Sequence, residues 1–319
     1  MSEKIRILST YHEISEKHVQ QMQKVSGNIT VEPATDKEKA LKLVGKAEII
    51  LDSGVFDKEM LMASRRLKWV HAASAGVERY LFPEFVNSSV ILTNSSGVHR
   101  IPISEVVAGM MLMFAKRLHK FMRFQLERKW ARLAPDELAD KTAGILGIGN
   151  IGMEIASKAK CFGMKVLALE KRRISRPTYV DEILGIEDLG YLLQESDYLV
   201  ITVPLTRETY HMIGEEELKL MKPSAYIINV SRGAVIDNAS LIKALREGWI
   251  SGAGLDVFEE EPLPENSDFW KLENVVITPH ISGSTPRYAE RVVEIFCKNL
   301  VRYIDGKPLI NVVDKRAGY

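Results

Sequence analysis

The sequence predicts an α/β protein of two doubly wound parallel-sheet domains, one inserted into the other. Three observations carry this prediction. Short apolar runs alternate with helical periodicities along the chain, the pattern of strands joined by crossover helices. The length, 319 residues, exceeds one average core and suits two domains. Within residues 141–170 a strand, a glycine-rich turn, a helix and a second strand follow one another, so that a new sheet starts in mid-chain.

Taken in order, residues 5–8 form a first strand. Residues 36–44 form a helix with Thr35 as its N-cap and Gly45 as its stop. Residues 47–51 are a second strand, followed by the turn Asp52-Ser53-Gly54, a helix over 57–63 and a strand over 67–70. That strand leads into the small-residue loop Ala73-Ser74-Ala75-Gly76-Val77, and a further strand covers 90–93. A long helix is then expected over 102–130, with Pro102 suited to its first turn. Its apolar residues, among them Met110, Met111, Phe114, Leu118 and Phe124, cover more than one face. Such a helix is either buried between two layers or part of a subunit interface. Strands over 198–203, 225–230, 253–257 and 275–277 extend the sheet begun at Ala143, and a last long helix covers 286–303. The chain therefore enters its second domain near residue 98 and leaves it near 285. No internal repeat or low-complexity linker interrupts it.

The turn in the middle has a chemical meaning. Residues 143–146 are apolar and run into Gly147-Ile148-Gly149-Asn150-Ile151-Gly152, a G-x-G-x-x-G. Ile151, Ile155, Ala156 and Ala159 then recur at helical spacing until Gly163, and a second apolar strand ends at the acidic Glu170. Gly147 lets the backbone turn off the strand, Gly149 lets a pyrophosphate approach the main chain, and Gly152 lets helix and strand pack closely. Free N–H groups and the positive end of the helix dipole favour a diphosphate there. Glu170 stands eighteen residues after Gly152, where a carboxylate accepts hydrogen bonds from the ribose hydroxyls. This context reads as a Rossmann dinucleotide site. Glu170 favours NAD, whereas the cluster Lys171, Arg172 and Arg173 would accept the 2′-phosphate of NADP.

Composition narrows the rest. A formal net charge of +1 offers no case for nucleic acid or an acidic membrane. No apolar run approaches the ~18 residues of a membrane span, and the start of the chain has no cleavage-type leader. A cytoplasmic location is expected. The two cysteines, Cys161 and Cys297, fall in helical apolar patterns and read as buried reduced thiols, with no metal site called for.

In open α/β sheets chemistry gathers at the carboxyl ends of the strands. Three such ends here carry suitable residues. Arg232 lies in Asn229-Val230-Ser231-Arg232-Gly233, and its planar fork suits a carboxylate. Glu261 closes the run after Asp256, and His280 lies in Thr278-Pro279-His280. His280 passes protons near neutral pH, and Glu261 is suited to hold and polarise it.

These segments make the chain similar to the D-isomer-specific 2-hydroxyacid dehydrogenase family, whose members include glyoxylate/hydroxypyruvate reductases, D-lactate dehydrogenases and phosphoglycerate dehydrogenases. The resemblance spans essentially the whole chain and rests on GILGIGNIG, NVSRGAVID, GLDVFEEEPLP and TPHISGST, with EL-x-x-KT at 137–142 and VPLT at 203–206. It departs at Thr202, where many members carry His, and at Asp140, where Gly is frequent. The resemblance implies catalytic Arg232, Glu261 and His280. It implies cofactor binding by Gly147, Gly149, Asn150, Ile151, Gly152, Glu170, Val203, Pro204, Val230, Ser231, Asp256 and Gly283. Substrate would be held by Ser74, Ala75, Gly76 and Val77 with Arg232. A flavodoxin-like substrate domain would comprise residues 1–98 and 286–319, with a Rossmann domain at 99–285 and a homodimer through the helix around 102–130. The implied reaction is hydride transfer between NAD(P) and a small D-2-hydroxy or 2-oxo acid. An NAD(H)-sensing corepressor on the same fold is the rival from another class, and oxidation of formate or phosphite is the enzymatic rival.

Overall fold

A computed structural model describes residues 4–34, 36–171 and 175–317. The chain divides into two compact units, one built from the residues up to Val98 and from Thr285 onward, the other from His99–Ser284.

The first unit holds five strands, β1 (Ile5–Ser9), β2 (Ile29–Pro33), β3 (Ile49–Asp52), β4 (Trp69–Ala72) and β5 (Ile91–Asn94). All pair in parallel, in the order β2-β1-β3-β4-β5, which is the flavodoxin-like order. Successive strand residues feed two cores. Leu8, Ile50, Val70 and Leu92 face one side, while Ile7, Ile49, Leu51 and Trp69 face the other. Burial on both faces is why these strands read as unbroken apolar runs. Trp69 stacks on Phe296 and Tyr303, with ring centroids 5.0 and 5.7 Å away, so the helix Tyr288–Ile304 covers one face of the sheet. Asp36 N-caps the helix Lys37–Val44 by accepting the Lys39 N–H at 2.8 Å. The cap expected from sequence, Thr35, lies outside the described residues. The helix Glu16–Gln23 and the edge strand β2 were not anticipated.

The second unit holds β6 (Thr142–Leu146), β7 (Lys165–Leu169), β8 (Glu182–Leu184), β9 (Tyr198–Ile201), β10 (Tyr226–Asn229), β11 (Gly252–Leu255) and β12 (Val275–Ile277). They form one parallel sheet in the order β12-β11-β10-β9-β6-β7-β8. The order reverses between β6 and β9, as in a doubly wound dinucleotide-binding sheet, with one strand added at the far edge. Leu146, Ile201, Ile227 and Leu255 pack on one face and Ile145, Val200 and Ile228 on the other.

The expected helix over 102–130 is two helices, Arg100–Ala115 and Leu118–Leu126. The chain breaks at Arg117, whose φ is 56° and whose Nη1 donates to the Tyr226 hydroxyl at 2.8 Å. Met110, Met111 and Phe114 of the first helix are buried against the sheet. Met122 and Leu126 of the second are exposed, as is Trp130 beyond it. Asp140 adopts a left-handed backbone, φ 63°, a conformation in which Gly is favoured and Asp tolerated. Both cysteines are free and helical, but Cys161 is exposed and Cys297 only half-buried. Among the described residues no helix is long and apolar enough to cross a membrane.

Candidate active site

The glycine turn sits where the strand order reverses. Gly147 has φ 96°, and a Cβ there would meet Val203 Cγ1 at 2.9 Å. The Thr202 hydroxyl donates to the Gly147 carbonyl at 2.6 Å, tying the end of β9 to the turn. A Cβ on Gly152 would lie 2.2 Å from the Gly147 carbonyl oxygen, so helix and strand pack too closely for any side chain. Gly149 differs, because no atom lies within 4 Å of where its Cβ would be. It is the N-cap of the twelve-residue helix Asn150–Cys161, and no side chain caps that helix. Open space at an uncapped helix N-terminus fits the pyrophosphate of a dinucleotide.

Glu170 follows β7 and is half-buried; its N–H donates to the Leu184 carbonyl at 3.1 Å. Lys171 is exposed and pairs with Glu208 at 2.6 Å. Arg172 and Arg173 lie outside the described residues. Val203 and Pro204 follow β9, and Val230 and Ser231 follow β10, the latter two buried. Gly283 follows β12, and its carbonyl lies 3.1 Å from His99 Nδ1. The expected cofactor residues thus lie along one edge of one sheet.

Arg232, Glu261 and His280 come from the loops after β10, β11 and β12, three neighbouring strands that span only ~10 Å at the spacing of a sheet. Asn229 shapes the first loop. Its Oδ1 accepts from the Ser231 N–H and hydroxyl at 3.1 and 2.9 Å, and its Nδ2 donates to the Arg232 carbonyl at 3.0 Å. Arg232 Nη1 donates to the Ser231 carbonyl at 2.7 Å. The other guanidinium N–H groups have no partner among the described residues, and the side chain is exposed. A Cβ on Gly233 would fall 1.9 Å from the Phe258 carbonyl carbon, so only glycine lets the first two loops touch.

Glu261 Oε1 accepts the Phe258 N–H at 2.9 Å, and Oε2 lies 2.7 Å from His280 Nδ1. With Nδ1 so engaged, Nε2 is the nitrogen left to meet a substrate. His280 itself has φ 52°, held by its N–H to the Asp256 carbonyl at 2.8 Å. Asp256 is fully buried. Its carboxylate accepts from the Thr278 hydroxyl at 2.5 Å and from the N–H groups of Ile281 and Ser282 at 3.0 Å each. The work of this carboxylate in the structure is to fold the loop that presents His280.

Sequence reasoning gave no role to Asn229, Thr278 or His211. The first two are polar residues closing apolar strands, which is the signal that would have found them. His211, Asp237 and Glu259 bring donor atoms within 4.8 Å of one another. The His211 ring stacks on Tyr210, with centroids 4.0 Å apart. Its Nε2 is 3.2 Å from Glu259 Oε1, out of line for a hydrogen bond. Glu259 also accepts the Asn238 N–H at 3.0 Å, which braces the loop that carries Glu261.

In the first unit, the loop of Ser74, Ala75, Gly76 and Val77 follows β4. The Ser74 hydroxyl donates to the Gly76 carbonyl at 2.6 Å, and Asn94 Nδ2 donates to the Ala75 carbonyl at 2.7 Å. Ala75, Gly76 and Val77 line a cavity of about 370 Å³. His71 lies just before this loop, but it is a core residue. It is fully buried between Thr93 and Ser95, 2.7 and 3.1 Å from its ring nitrogens. Burial pushes its pKa down to about 3, so it is neutral at the pH where a proton donor would be needed.

Residues 108–282 match the family model of the D-isomer specific 2-hydroxyacid dehydrogenase NAD binding domain. A glyoxylate reductase of Thermococcus litoralis is 41% identical over 280 residues, covering 84% of this chain and 83% of that protein. A D-isomer specific 2-hydroxyacid dehydrogenase family protein of Aeromonas salmonicida has a similar structure, with TM-score 0.80 and 32% identity, over 99% of this chain and 100% of that one. A D-isomer specific 2-hydroxyacid dehydrogenase of Xanthobacter autotrophicus, in complex with NADPH and MES, gives TM-score 0.79 and 28% identity over 100% of each chain. The chain belongs to the D-isomer specific 2-hydroxyacid dehydrogenase family and is an NAD(P)-binding oxidoreductase of that family.

Proposed function

We propose that the enzyme interconverts a small 2-oxo acid, of the size of glyoxylate or hydroxypyruvate, and the corresponding D-2-hydroxy acid. The observation that carries this reading is the Glu261–His280 pair, 2.7 Å apart, beyond β11 and β12 of the sheet whose β10 leads into Arg232 and whose β6 leads into the dinucleotide turn. The nicotinamide supplies or accepts the hydride. The residues of the chain do the rest. Arg232 pairs with the substrate carboxylate and polarises the C2 oxygen, using the N–H groups that its own turn leaves unengaged. His280 Nε2 gives its proton to that oxygen in reduction and takes it back in oxidation. Glu261 holds the ring by Nδ1 and so fixes which nitrogen faces the substrate. The loop of Ser74, Ala75, Gly76 and Val77 receives the substrate carboxylate on its backbone amides.

The name of the Thermococcus litoralis relative, glyoxylate reductase, favours a short acid. For the cofactor, Glu170 favours a free ribose 2′-hydroxyl, and Lys171 is already paired with Glu208, so NADH is preferred over NADPH. The exposed apolar residues of 118–130 form the interface of a homodimer. Initial rates with glyoxylate, hydroxypyruvate, pyruvate, phenylpyruvate and phosphohydroxypyruvate, each with NADH and NADPH, test the reading. The expected result is the highest kcat/KM with the shortest acids and NADH. A clear preference for NADPH would show that Arg172 and Arg173 outweigh Glu170. Turnover of no 2-oxo acid would overturn the assignment.

A further inference from the structure

The loop after β4 is anchored through its carbonyls. The Ala73 carbonyl accepts the Tyr288 hydroxyl at 2.7 Å, and the Ser74 carbonyl accepts the Ser95 N–H at 3.0 Å. The Ala75 carbonyl accepts from Asn94 Nδ2 at 2.7 Å, and the Gly76 carbonyl from the Ser74 hydroxyl at 2.6 Å. The Val77 carbonyl accepts the Tyr80 N–H at 2.9 Å. Every carbonyl from Ala73 to Val77 is thus taken. The N–H groups of Ser74, Ala75, Gly76 and Val77, by contrast, have no partner among the described residues. Successive backbone N–H groups left open in a turn suit an anion.

Most of these anchors are near at hand. Asn94 and Ser95 stand at the end of β5, the strand paired with β4, and Ser74 and Tyr80 are local. Tyr288 is different: it opens the helix Tyr288–Ile304 and lies 215 residues from Ala73 along the chain. Its ring packs on the core that contains Tyr11, Ala73 and Val292, which fixes the place of the hydroxyl. Burial first, and then the charge of Glu13, raises its pKa, so the phenol keeps its proton and donates. On the other side of Ala73, its N–H donates to the Asp52 carbonyl at 2.7 Å. The Ala73 carbonyl and the Ser74 N–H belong to one planar trans peptide and point in opposite directions. Holding the carbonyl therefore aims the N–H.

We propose that Tyr288 is a positioning residue for the substrate carboxylate: by holding the Ala73 carbonyl, its hydroxyl sets the direction of the Ser74 N–H, the first of the open amides in the loop. The proposal rests on the reading of residues 74–77 as the loop that takes that carboxylate. Tyr288 touches no reacting atom in this scheme and acts through the peptide it holds. Phenylalanine at this position keeps the ring in its core and releases the Ala73–Ser74 peptide, which the substrate itself must then order on binding.

The test measures kcat and the KM values for glyoxylate and the reduced cofactor in the wild type, Tyr288→Phe and Asn94→Ala. In Tyr288→Phe the KM for glyoxylate should rise about three- to tenfold, the worth of one neutral hydrogen bond. Both kcat and the KM for the reduced cofactor should stay unmoved, because the carboxylate is bound alike in the ground and transition states. A fall in kcat or a rise in cofactor KM of the same size would mark a general loss of structure and overturn the positioning role. Asn94→Ala loosens the loop by its other long side-chain anchor, at Ala75, and should also raise the KM for glyoxylate. A raised value in Asn94→Ala beside an unchanged one in Tyr288→Phe would overturn the role of Tyr288 and leave the loop in the site. Unchanged values in both would remove the loop from the substrate site, and the role of Tyr288 with it.

Discussion

At the scale of single residues, the proposed proton transfer rests on which nitrogen of His280 faces out. Glu261 Oε2 lies 2.7 Å from Nδ1 while Oε1 is pinned by the Phe258 N–H, so the carboxylate is held from behind and cannot swing away without losing a bond. Glu261→Gln keeps this shape and removes the charge. The ring then loses its ionic partner, and reductive kcat/KM should fall with cofactor affinity kept. His280→Ala should lower kcat on the order of 10²–10⁴-fold with cofactor affinity kept. A Glu261→Gln variant with wild-type kcat/KM, together with an active His280→Ala, would assign the proton to another donor. His71 is excluded by its burial. Arg232, Glu261 and His280 could be put forward from the sequence because each lies in a loop that follows an apolar strand, and the structure places those three loops after neighbouring strands. Asn229 and Asp256 were harder to read. Their polar atoms are spent on the backbone of the same loops, and nothing in a linear sequence tells an internal acceptor from an external one.

At the scale of elements, the two glycines at the start of helix Asn150–Cys161 separate ligand binding from packing. Gly152→Ala would drive a methyl group to 2.2 Å from the Gly147 carbonyl. The helix must shift, and a loss of stability of roughly 1–3 kcal/mol is expected from such overpacking. Gly149 has φ −72° and ψ −163°, which any residue adopts, and its Cβ would point into open space. Gly149→Ala should therefore unfold at the wild-type denaturant midpoint yet bind the reduced cofactor at least tenfold more weakly, as the methyl group occupies the place of the pyrophosphate. Fluorescence titration with the cofactor and urea unfolding measure the two effects. Equal affinity in the two proteins would place the diphosphate elsewhere. The central strands were readable for a related reason. Covered on both faces, they must be apolar throughout. The edge strands β2 (ITVEP) and β8 (EIL) pair on one side only; they carry exposed and acidic positions and so lack that signature. The break at Arg117 left no Gly or Pro to announce it, because an arginine bonded to Tyr226 holds the left-handed turn.

At the scale of the molecule, the unanswered surface is the second half of what reads as one long helix. Leu118, Met122 and Leu126 recur every four residues, so they share one side of helix Leu118–Leu126. They are 46%, 60% and 85% exposed, and Trp130 beyond them is 95% exposed. Beside them lies an apolar cavity of about 610 Å³ whose lining includes Phe121, Phe124 and Trp130. The apolar excess of residues 102–130 thus has two origins. Met110, Met111 and Phe114 fill a core, and only the later residues remain to meet a partner. In a twofold dimer each would be buried twice. Met122→Glu combined with Leu126→Glu would remove four apolar contacts and place four charges in their stead. At ~1.5–3 kcal/mol for each buried side chain, the loss is on the order of 6 kcal/mol or more, about four powers of ten in Kd. Sedimentation velocity at micromolar concentration should show a wild-type dimer and a monomeric double variant with unchanged circular dichroism. The variant should also keep its affinity for the reduced cofactor, because both substitutions lie outside the glycine turn and the loops after the strands. A wild-type monomer, or a double variant that stays dimeric, would move the interface away from this helix.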